Sequence, residues 1–401
     1  MTKQVDFAII GAGIVGLSIA KELKRQFPNA RIAVIEKEVT IGLHASGRNS
    51  GVLHAGIYYP SNSLKAKCCL EGARAMAAYC DAHGLPIQRV GKLIVTTKPD
   101  EGPVLETLLQ RAITNGAKVE LISREVLQKL EPEATTATDY ALFSPETSVI
   151  DSKAILTHIF ESLRTQQVKF YFNEPSVGID TTSQRLTLKN EHIIYGHLFN
   201  TAGLFADEIA RRCGLQERYT MIPFKGLYYE LKPRTSLTIN HLIYPVPDMH
   251  VPFLGVHFTK AIDNTIYLGP TAIPALGREH YTGMTGIKIA ETLSTFTALA
   301  PHYFSNKQGF RTYAHQEIPR FLKSRFIASA QALVPRITPQ DIIRSAKVGI
   351  RAQLFDLTKK ELAMDFIVSQ TQNETHVLNA VSPAFSSAFS FSKYVISGSL
   401  C

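Results

Sequence analysis

The stretch VDFAIIGAGIVG, residues 5 to 16, constrains the fold of this chain more than any other part of it. Val5 to Ile10 reads as a short buried parallel strand, Gly11, Gly13 and Gly16 as a strand-to-helix turn, and Ile14 to Phe27 as the helix whose N-terminus faces a pyrophosphate. The first glycine permits the tight turn, the second lets backbone amides approach phosphate, and the third lets helix and strand pack closely. Twenty residues after Gly16, the run RIAVIEKE ends a second strand on Glu36, a carboxylate placed to bind ribose hydroxyls, with Lys37 next to it as a further cofactor-binding residue. Three glycines at this spacing are a weak signal alone. The strand before them, the helix after them and the answering acid turn them into a dinucleotide site.

At 401 residues the chain is longer than one hydrophobic core sustains, so two interleaved domains are expected. No apolar run reaches the ~18 residues that a bilayer span requires. A core strand follows Met1 at once, so a cytoplasmic protein is expected, with any contact to the inner face of the cell membrane peripheral. Five cysteines, Cys68, Cys69, Cys80, Cys213 and Cys401, are too few and too irregular for a disulfide framework, and none forms a CxxC pair for a metal. The formal charge of +9 comes from scattered Lys and Arg, with no basic run of the kind that binds nucleic acid. It agrees with an acidic substrate without selecting one.

The segment GLHASGRNSGVLHAG, residues 42 to 56, is too rich in glycine and polar residues for a helix. Ser63 to His83 has helical spacing, with Ser63 as N-cap and Gly84 as stop. A strand at GKLIVTT, 91 to 97, and a helix over 101–115 leave the first domain; a helix over 151–166, a strand over 168–172 and the run 192–200 return to it. From Met221 to Pro270, β-rich runs separated by Pro, Asn and Asp suit a largely antiparallel sheet covering a ligand. Helices follow around 287–303 and 319–333, and 341–352 and 376–396 rejoin the dinucleotide half. The expected fold is therefore α/β with an α+β second domain. A Rossmann-like domain (1–85, 145–218, 340–401) is interleaved with an antiparallel-sheet substrate domain (86–144, 219–339).

Several blocks carry a resemblance over the whole chain: HASGRNSGVLHAGIYYP at 44, LKAKCCLEGA at 64, GKLIV at 91, VPFLGVHFT at 251, IYLGP at 266 and VGIRAQ at 348. With these the chain resembles the flavin-dependent D-amino-acid-oxidase superfamily and, within it, the L-2-hydroxyglutarate dehydrogenase/oxidase family. The resemblance implies FAD as the cofactor and oxidation of L-2-hydroxyglutarate to 2-oxoglutarate, with electrons passed to a quinone or oxygen. Oxidation of another amino or hydroxy acid, of the glycine, sarcosine or glycerol phosphate type, and flavin binding without turnover remain the alternatives, since fold does not fix function. On the cofactor side it implies Ser46, Gly47, Asn49 and Ser50 along the pyrophosphate and flavin edge, Val177 towards adenine, Ala202 and Gly203 on the ribityl side, and Gly349 near the ring. The last small-residue loop, NAVSPAFSSAF at 379, departs from the glycine-rich pattern of the wider superfamily. It reads either as Ser386 and Ser387 donating to ligand or as a helix start.

Oxidising an alcohol with a flavin requires a base for the hydroxyl proton, and histidine suits the task near neutral pH. His54 is the first candidate, with support of the flavin loop as its other reading. His257, in GVHFT, either polarises the hydroxyl, binds a carboxylate or is a hydrogen-bonded sheet histidine. His44 reads as a cofactor-loop residue. A diacid needs permanent cations in a dry site, for which Arg351 is the leading anchor and Lys225 and Arg278 are secondary ones. Tyr58 and Tyr59 line the cavity or pack in the core.

Overall fold

The computed structural model describes residues 2–175, 177–215 and 218–400, so Cys401 lies outside the described residues. It divides into two compact units, Met1–Asn49 with Ser152–Pro223 and Arg351–Cys401, and Ser50–Asp151 with Phe224–Ile350.

The first unit is built on the strand that precedes the glycine turn. Thr2–Ile10 lies between Ile32–Ile35 and His192–Asn200, parallel to both, and Lys169–Tyr171 and Glu374–Asn379 extend the parallel array on either side. Antiparallel additions are Ile367–Gln370 beside Glu374–Asn379, and the pair Gly178–Asp180 and Arg185–Thr187 beside the start of His192–Asn200. Strands buried on both faces must be apolar nearly throughout. IAVI at 32–35 is fully buried, and Val5, Ala8, Ile10, Ala33, Ile35 and Leu198 share one cluster. The helix Ile14–Gln26 packs on Ser152–Thr165 and on the C-terminal helix Ala384–Ser399. The loop at 379–389 thus leads into a helix, one of the two readings open at sequence level.

The second unit is centred on an open sheet. From Glu120–Ser123 it runs through Tyr140–Ser144, Lys92–Val95, Leu242–Pro245, His257–Lys260 and Ile266–Gly269 to Tyr219–Leu231 and Ile342–Asp356, and the unit division falls within these last two strands. The pairings are antiparallel at Phe143–Leu93, Ile243–Phe258, His257–Gly269 and Tyr229–Leu268, but parallel between Lys92–Val95 and Leu242–Pro245. One face buries Leu93, Val95, Ile243, Val256, Phe258 and Leu268 with Phe326, Ile327 and Ala330 of the helix Lys323–Gln331. The opposite face carries the polar side chains described below.

The expected boundary near residue 85 is displaced: Ser50 to Leu85 belongs to the second unit. The reason is packing. Ala55, Ile57 and Leu70 share a core with Ile94, Leu105, Leu108 and Leu142, and Val52–Leu53 and Ile87–Gln88 both pair with Ser148–Ile150. Residues 145–151 and 340–350 likewise fall in the second unit, and 219–223 in the first.

Candidate active site

In the first unit the glycine turn is crowded where a nucleotide-binding turn must be. Gly11 has φ +105°, and its amide donates to the Ile35 carbonyl at 2.7 Å. A Cβ there would stand 2.6 Å from the Thr201 carbonyl oxygen, and one at Gly16 would stand 2.1 Å from that of Gly11. At Gly13 it would meet only Ser46 Oγ, at 3.0 Å. Ser46 Oγ accepts from the Ile14 amide at 2.9 Å, so a hydroxyl oxygen stands at the helix N-terminus where dipole and free N–H groups favour an anion. Asn49 Nδ2 donates to the Ser46 carbonyl at 2.6 Å, and a Cβ at Gly47 would lie 2.3 Å from the Gly42 carbonyl oxygen, which fixes this loop closely.

Glu36 is buried at the end of its strand, and its carboxylate accepts from the Ala12 amide at 2.7 Å and the Glu38 amide at 3.0 Å. It therefore ties the turn to the second strand, and the spare lone pairs of a carboxylate remain available to ribose hydroxyls. Lys37 contacts Glu38 Oε1 and stands 5.2 Å from the Phe205 ring centroid, and His44 Nε2 lies 2.9 Å from Glu38 Oε1. Desolvation alone would raise the Glu38 carboxyl; the hydrogen bonds and charges of Lys37 and His44 outweigh it and hold the group below its ordinary value. Val177 joins the apolar cluster of the parallel sheet, with Ala202 packed against it. Gly203 has φ +56°, and a Cβ there would meet no protein atom within 4 Å, so the turn conformation, not close packing of the chain, requires this glycine. This donor set, with a closely turned glycine loop, an anion-seeking helix end and a carboxylate, fits an adenine dinucleotide diphosphate.

The remaining sequence candidates fall mainly in the second unit. Ser50 lies there, one residue past Asn49. His54 is buried after the Val52–Leu53 strand, and its carbonyl accepts from Cys69 Sγ at 3.2 Å. His257 opens its strand, with Val256 and Phe258 turned into the core and its own ring stacked on Tyr244 at 3.9 Å and 20°. His257 Nδ1 lies 2.8 Å from the Gly255 carbonyl oxygen. A carbonyl can only accept, so Nδ1 carries the proton and the neutral ring has its lone pair on Nε2. Lys225, opposite Ile273, is buried; desolvation and then the Arg344 charge lower its pKa. Arg278 is buried, with its amide donating to Glu291 at 2.7 Å. Gly349 and Arg351 occupy alternate positions of Ile342–Asp356, hence one face of that strand, with the unit division passing between them. The Lys65 amine lies over the Tyr59 ring, with Nζ 5.8 Å from the ring centroid.

One residue escaped the sequence reading. Lys92, first in the buried strand KLIV, is 0% exposed, and its Nζ stands 4.6 Å from the Tyr58 ring centroid and 5.4 Å from that of Tyr244. Neither Lys92 Nζ nor the Tyr58 hydroxyl has a hydrogen-bond partner among the described residues. Burial lowers the Lys92 amine to about 7 and pushes the Cys69 thiol up to about 12. Along this sheet face the chain thus places Cys69, then Lys92 between Tyr58 and Tyr244, then His257. Its only signal in the sequence was a charged residue opening an otherwise apolar strand.

Residues 6–397 match the family model DAO, FAD dependent oxidoreductase. The L-2-hydroxyglutarate dehydrogenase of Indibacter alkaliphilus is 34% identical over 403 residues, covering 98% of this chain and 97% of that protein. That of Escherichia coli K12 is 32% identical, covering 98% and 92%, and the human mitochondrial enzyme of the same name is 33% identical, covering 98% and 88%. In fold the chain is similar to L-alpha-glycerophosphate oxidase from Mycoplasma pneumoniae with FAD bound, at TM-score 0.75 and 19% identity over 98% of this chain and 94% of that one. It is also similar to glycine oxidase from Geobacillus kaustophilus, at TM-score 0.73 and 15% identity over 99% and 94%. With its glycine turn, its answering acid and a family match that spans nearly its whole length, the chain belongs to the DAO family of FAD dependent oxidoreductases.

Proposed function

We propose that this enzyme oxidises L-2-hydroxyglutarate to 2-oxoglutarate, with the unit that carries the glycine turn holding FAD. The observation that carries the substrate is the full-length similarity, at 32–34% identity, to proteins named for that reaction. When bound, FAD supplies the acceptor for the substrate's hydride. Gly11, Gly13 and Gly16 with the Ile14 helix would hold its pyrophosphate, Glu36 its ribose, and Lys37, Ser46, Gly47, Asn49, Ser50, Val177, Ala202, Gly203 and Gly349 would line the rest.

The chain's own share of the reaction is to take the hydroxyl proton and to hold two carboxylates away from water. His54 is the base that takes the hydroxyl proton, and His257, its Nδ1–H held by the Gly255 carbonyl and its ring stacked on Tyr244, orients the substrate. Arg351 is the permanent cation for one carboxylate. Lys225 assists, because a carboxylate arriving beside a buried amine restores the charge that desolvation disfavours. Electrons then leave to oxygen or to a quinone. A quinone demands contact at a membrane face, since no described helix is long and apolar enough to cross one.

The test is anaerobic mixing of the purified yellow protein with L- and D-2-hydroxyglutarate, glycine, sarcosine and glycerol 3-phosphate while flavin absorption is followed. Bleaching by the L-diacid alone is expected. Bleaching by another acid with the L-diacid inert overturns the substrate, and bleaching by none overturns the enzyme assignment at this site.

A further inference from the structure

A lysine enclosed in a protein without a hydrogen-bond partner is destabilising, because its amine gives up hydration and receives no bond in exchange. Lys92 is such a residue: it is 0% exposed, and its Nζ has no hydrogen-bond partner among the described residues. Leu93, Ile94 and Val95 after it are equally buried, so an apolar side chain would complete this strand at lower cost. Stability does not account for the amine.

The strand register shows what the amine serves. Side chains alternate along Lys92–Val95, so Lys92 and Ile94 share one face, while Leu93 and Val95 enter the core on the other. Lys92 to Val95 pair with Leu242 to Pro245, which sets Tyr244 beside Ile94 on the same face. The antiparallel pairing of Ile243 with Phe258 then sets Tyr244 opposite His257. Ile94, Tyr244 and His257 thus form a row across three neighbouring strands, with Lys92 two residues before Ile94. On that face Ile94 meets Ala55, Ile57 and Leu70, and Tyr58 packs against the same cluster.

Within the row the contacts are close. The Tyr244 and His257 rings stack at 3.9 Å and 20°, and His257 Nδ1 lies 2.8 Å from the Gly255 carbonyl oxygen. The hydrogen bond fixes one edge of the imidazole and the Tyr244 face fixes its plane. Lys92 Nζ stands 5.4 Å from the Tyr244 ring centroid and 4.6 Å from that of Tyr58. Both distances lie inside the ~6 Å over which an ammonium is drawn to an aromatic face, an attraction that is strongest away from water. A neutral amine still directs N–H groups at a π face. A methylene or thioether in the same place fills the space without that directed attraction.

We propose that Lys92 is a positioning residue for the oxidation: its amine holds the Tyr244 ring, and through that ring it sets the plane of His257 and so the way His257 meets the hydroxy acid. The inference rests on the reading that His257 orients the substrate, and it adds a group that, being fully enclosed, never touches substrate itself.

The experiment is anaerobic stopped-flow reduction of the flavin by L-2-hydroxyglutarate in the holoenzyme, for the wild type, Lys92→Met, His257→Ala and the double variant. Lys92→Met keeps the length of the side chain and removes the amine, so it is expected to retain flavin and to melt no lower than the wild type; Lys92→Leu takes its place where it does not fold. The limiting rate is expected to fall about tenfold or more, while the substrate concentration for half-maximal rate moves less than about twofold, the signature of lost orientation and not of lost binding. With His257→Ala already present, the same substitution is expected to change nothing further, because residues that act as one unit do not add. A wild-type limiting rate in Lys92→Met overturns the proposal, as does a rise in the half-saturating concentration alone. A fall that persists undiminished beside His257→Ala also overturns it, since Lys92 would then act on some other group. A wild-type enzyme that the L-diacid does not reduce, or His257→Ala at the wild-type rate, overturns the functional reading and this inference with it. Those two results come from proteins that retain Lys92, so the failures are told apart.

Discussion

At Gly16 an added methyl would collide with the Gly11 carbonyl oxygen at 2.1 Å, whereas at Gly13 it would meet only the Ser46 hydroxyl at 3.0 Å. The two glycines thus answer different demands. Gly16→Ala should damage the turn itself and lower the melting temperature even without flavin, while Gly13→Val should leave a folded but colourless protein. Absorbance at the flavin band and thermal melting of the two variants, side by side, check this; full flavin retention by Gly13→Val would remove Gly13 from the cofactor site. For His54, replacement by alanine should keep flavin yet slow its anaerobic reduction by about 10²- to 10⁴-fold, the usual worth of a positioned base. A wild-type reduction rate in the variant would transfer the base to His257. At this scale the turn glycines and Glu36 were legible, because their spacing is local. That Glu36 also receives the Ala12 amide was not, since a carboxylate's partners depend on where the loop returns.

Among the elements, His257–Lys260 shows how one strand divides its duties. Alternation sends Phe258 into the core against Leu268 and Phe326 and turns His257 onto the Tyr244 ring. Phe258→Ala should therefore cost about 3 to 5 kcal/mol of stability. Denaturant unfolding measures it, and a loss below about 1 kcal/mol would show that the core closes over the cavity. The helix over 64–82 was equally legible: Ser63, expected as its N-cap, accepts from the Ala66 amide at 3.1 Å. The parallel pairing of Lys92–Val95 with Leu242–Pro245 was hidden, because its partners are far apart in sequence and neither run signals which other strand it will meet. The same blindness misplaced residues 50–85, whose helix reads correctly while the core it joins is assembled from Ile94, Leu105 and Leu142.

Over the whole molecule, the buried Lys92 imposes a pH dependence on stability. In the unfolded chain its amine holds a proton up to about 10.5, while in the folded protein it releases it near 7. Between these values the unfolded state binds one proton more, so stability rises with pH, by about 1.4 kcal/mol per unit. Below pH 7 both states are protonated and this contribution sits at its least favourable level. The window for measurement is pH 7 to about 8.5, because the raised Cys69 thiol cancels the slope once the unfolded thiol ionises near 9. Denaturation midpoints across that window should climb for the wild type and flatten for Lys92→Met; parallel curves would mean that the folded amine keeps its proton.

The sequence by itself determined the glycine turn, its acid and the helix that follows, because these are set by contacts within a few dozen residues and by backbone conformations that only particular residues adopt. It also determined the alternation that separates His257 from its core neighbours. Only the tertiary structure decided that Lys92, Tyr58, Tyr244 and Cys69 gather on the face that carries His257, and that the helix at 289 turns apolar side chains outward. Both are consequences of which surfaces the rest of the chain covers, and coverage is a property of the packed whole, not of any local run of residues.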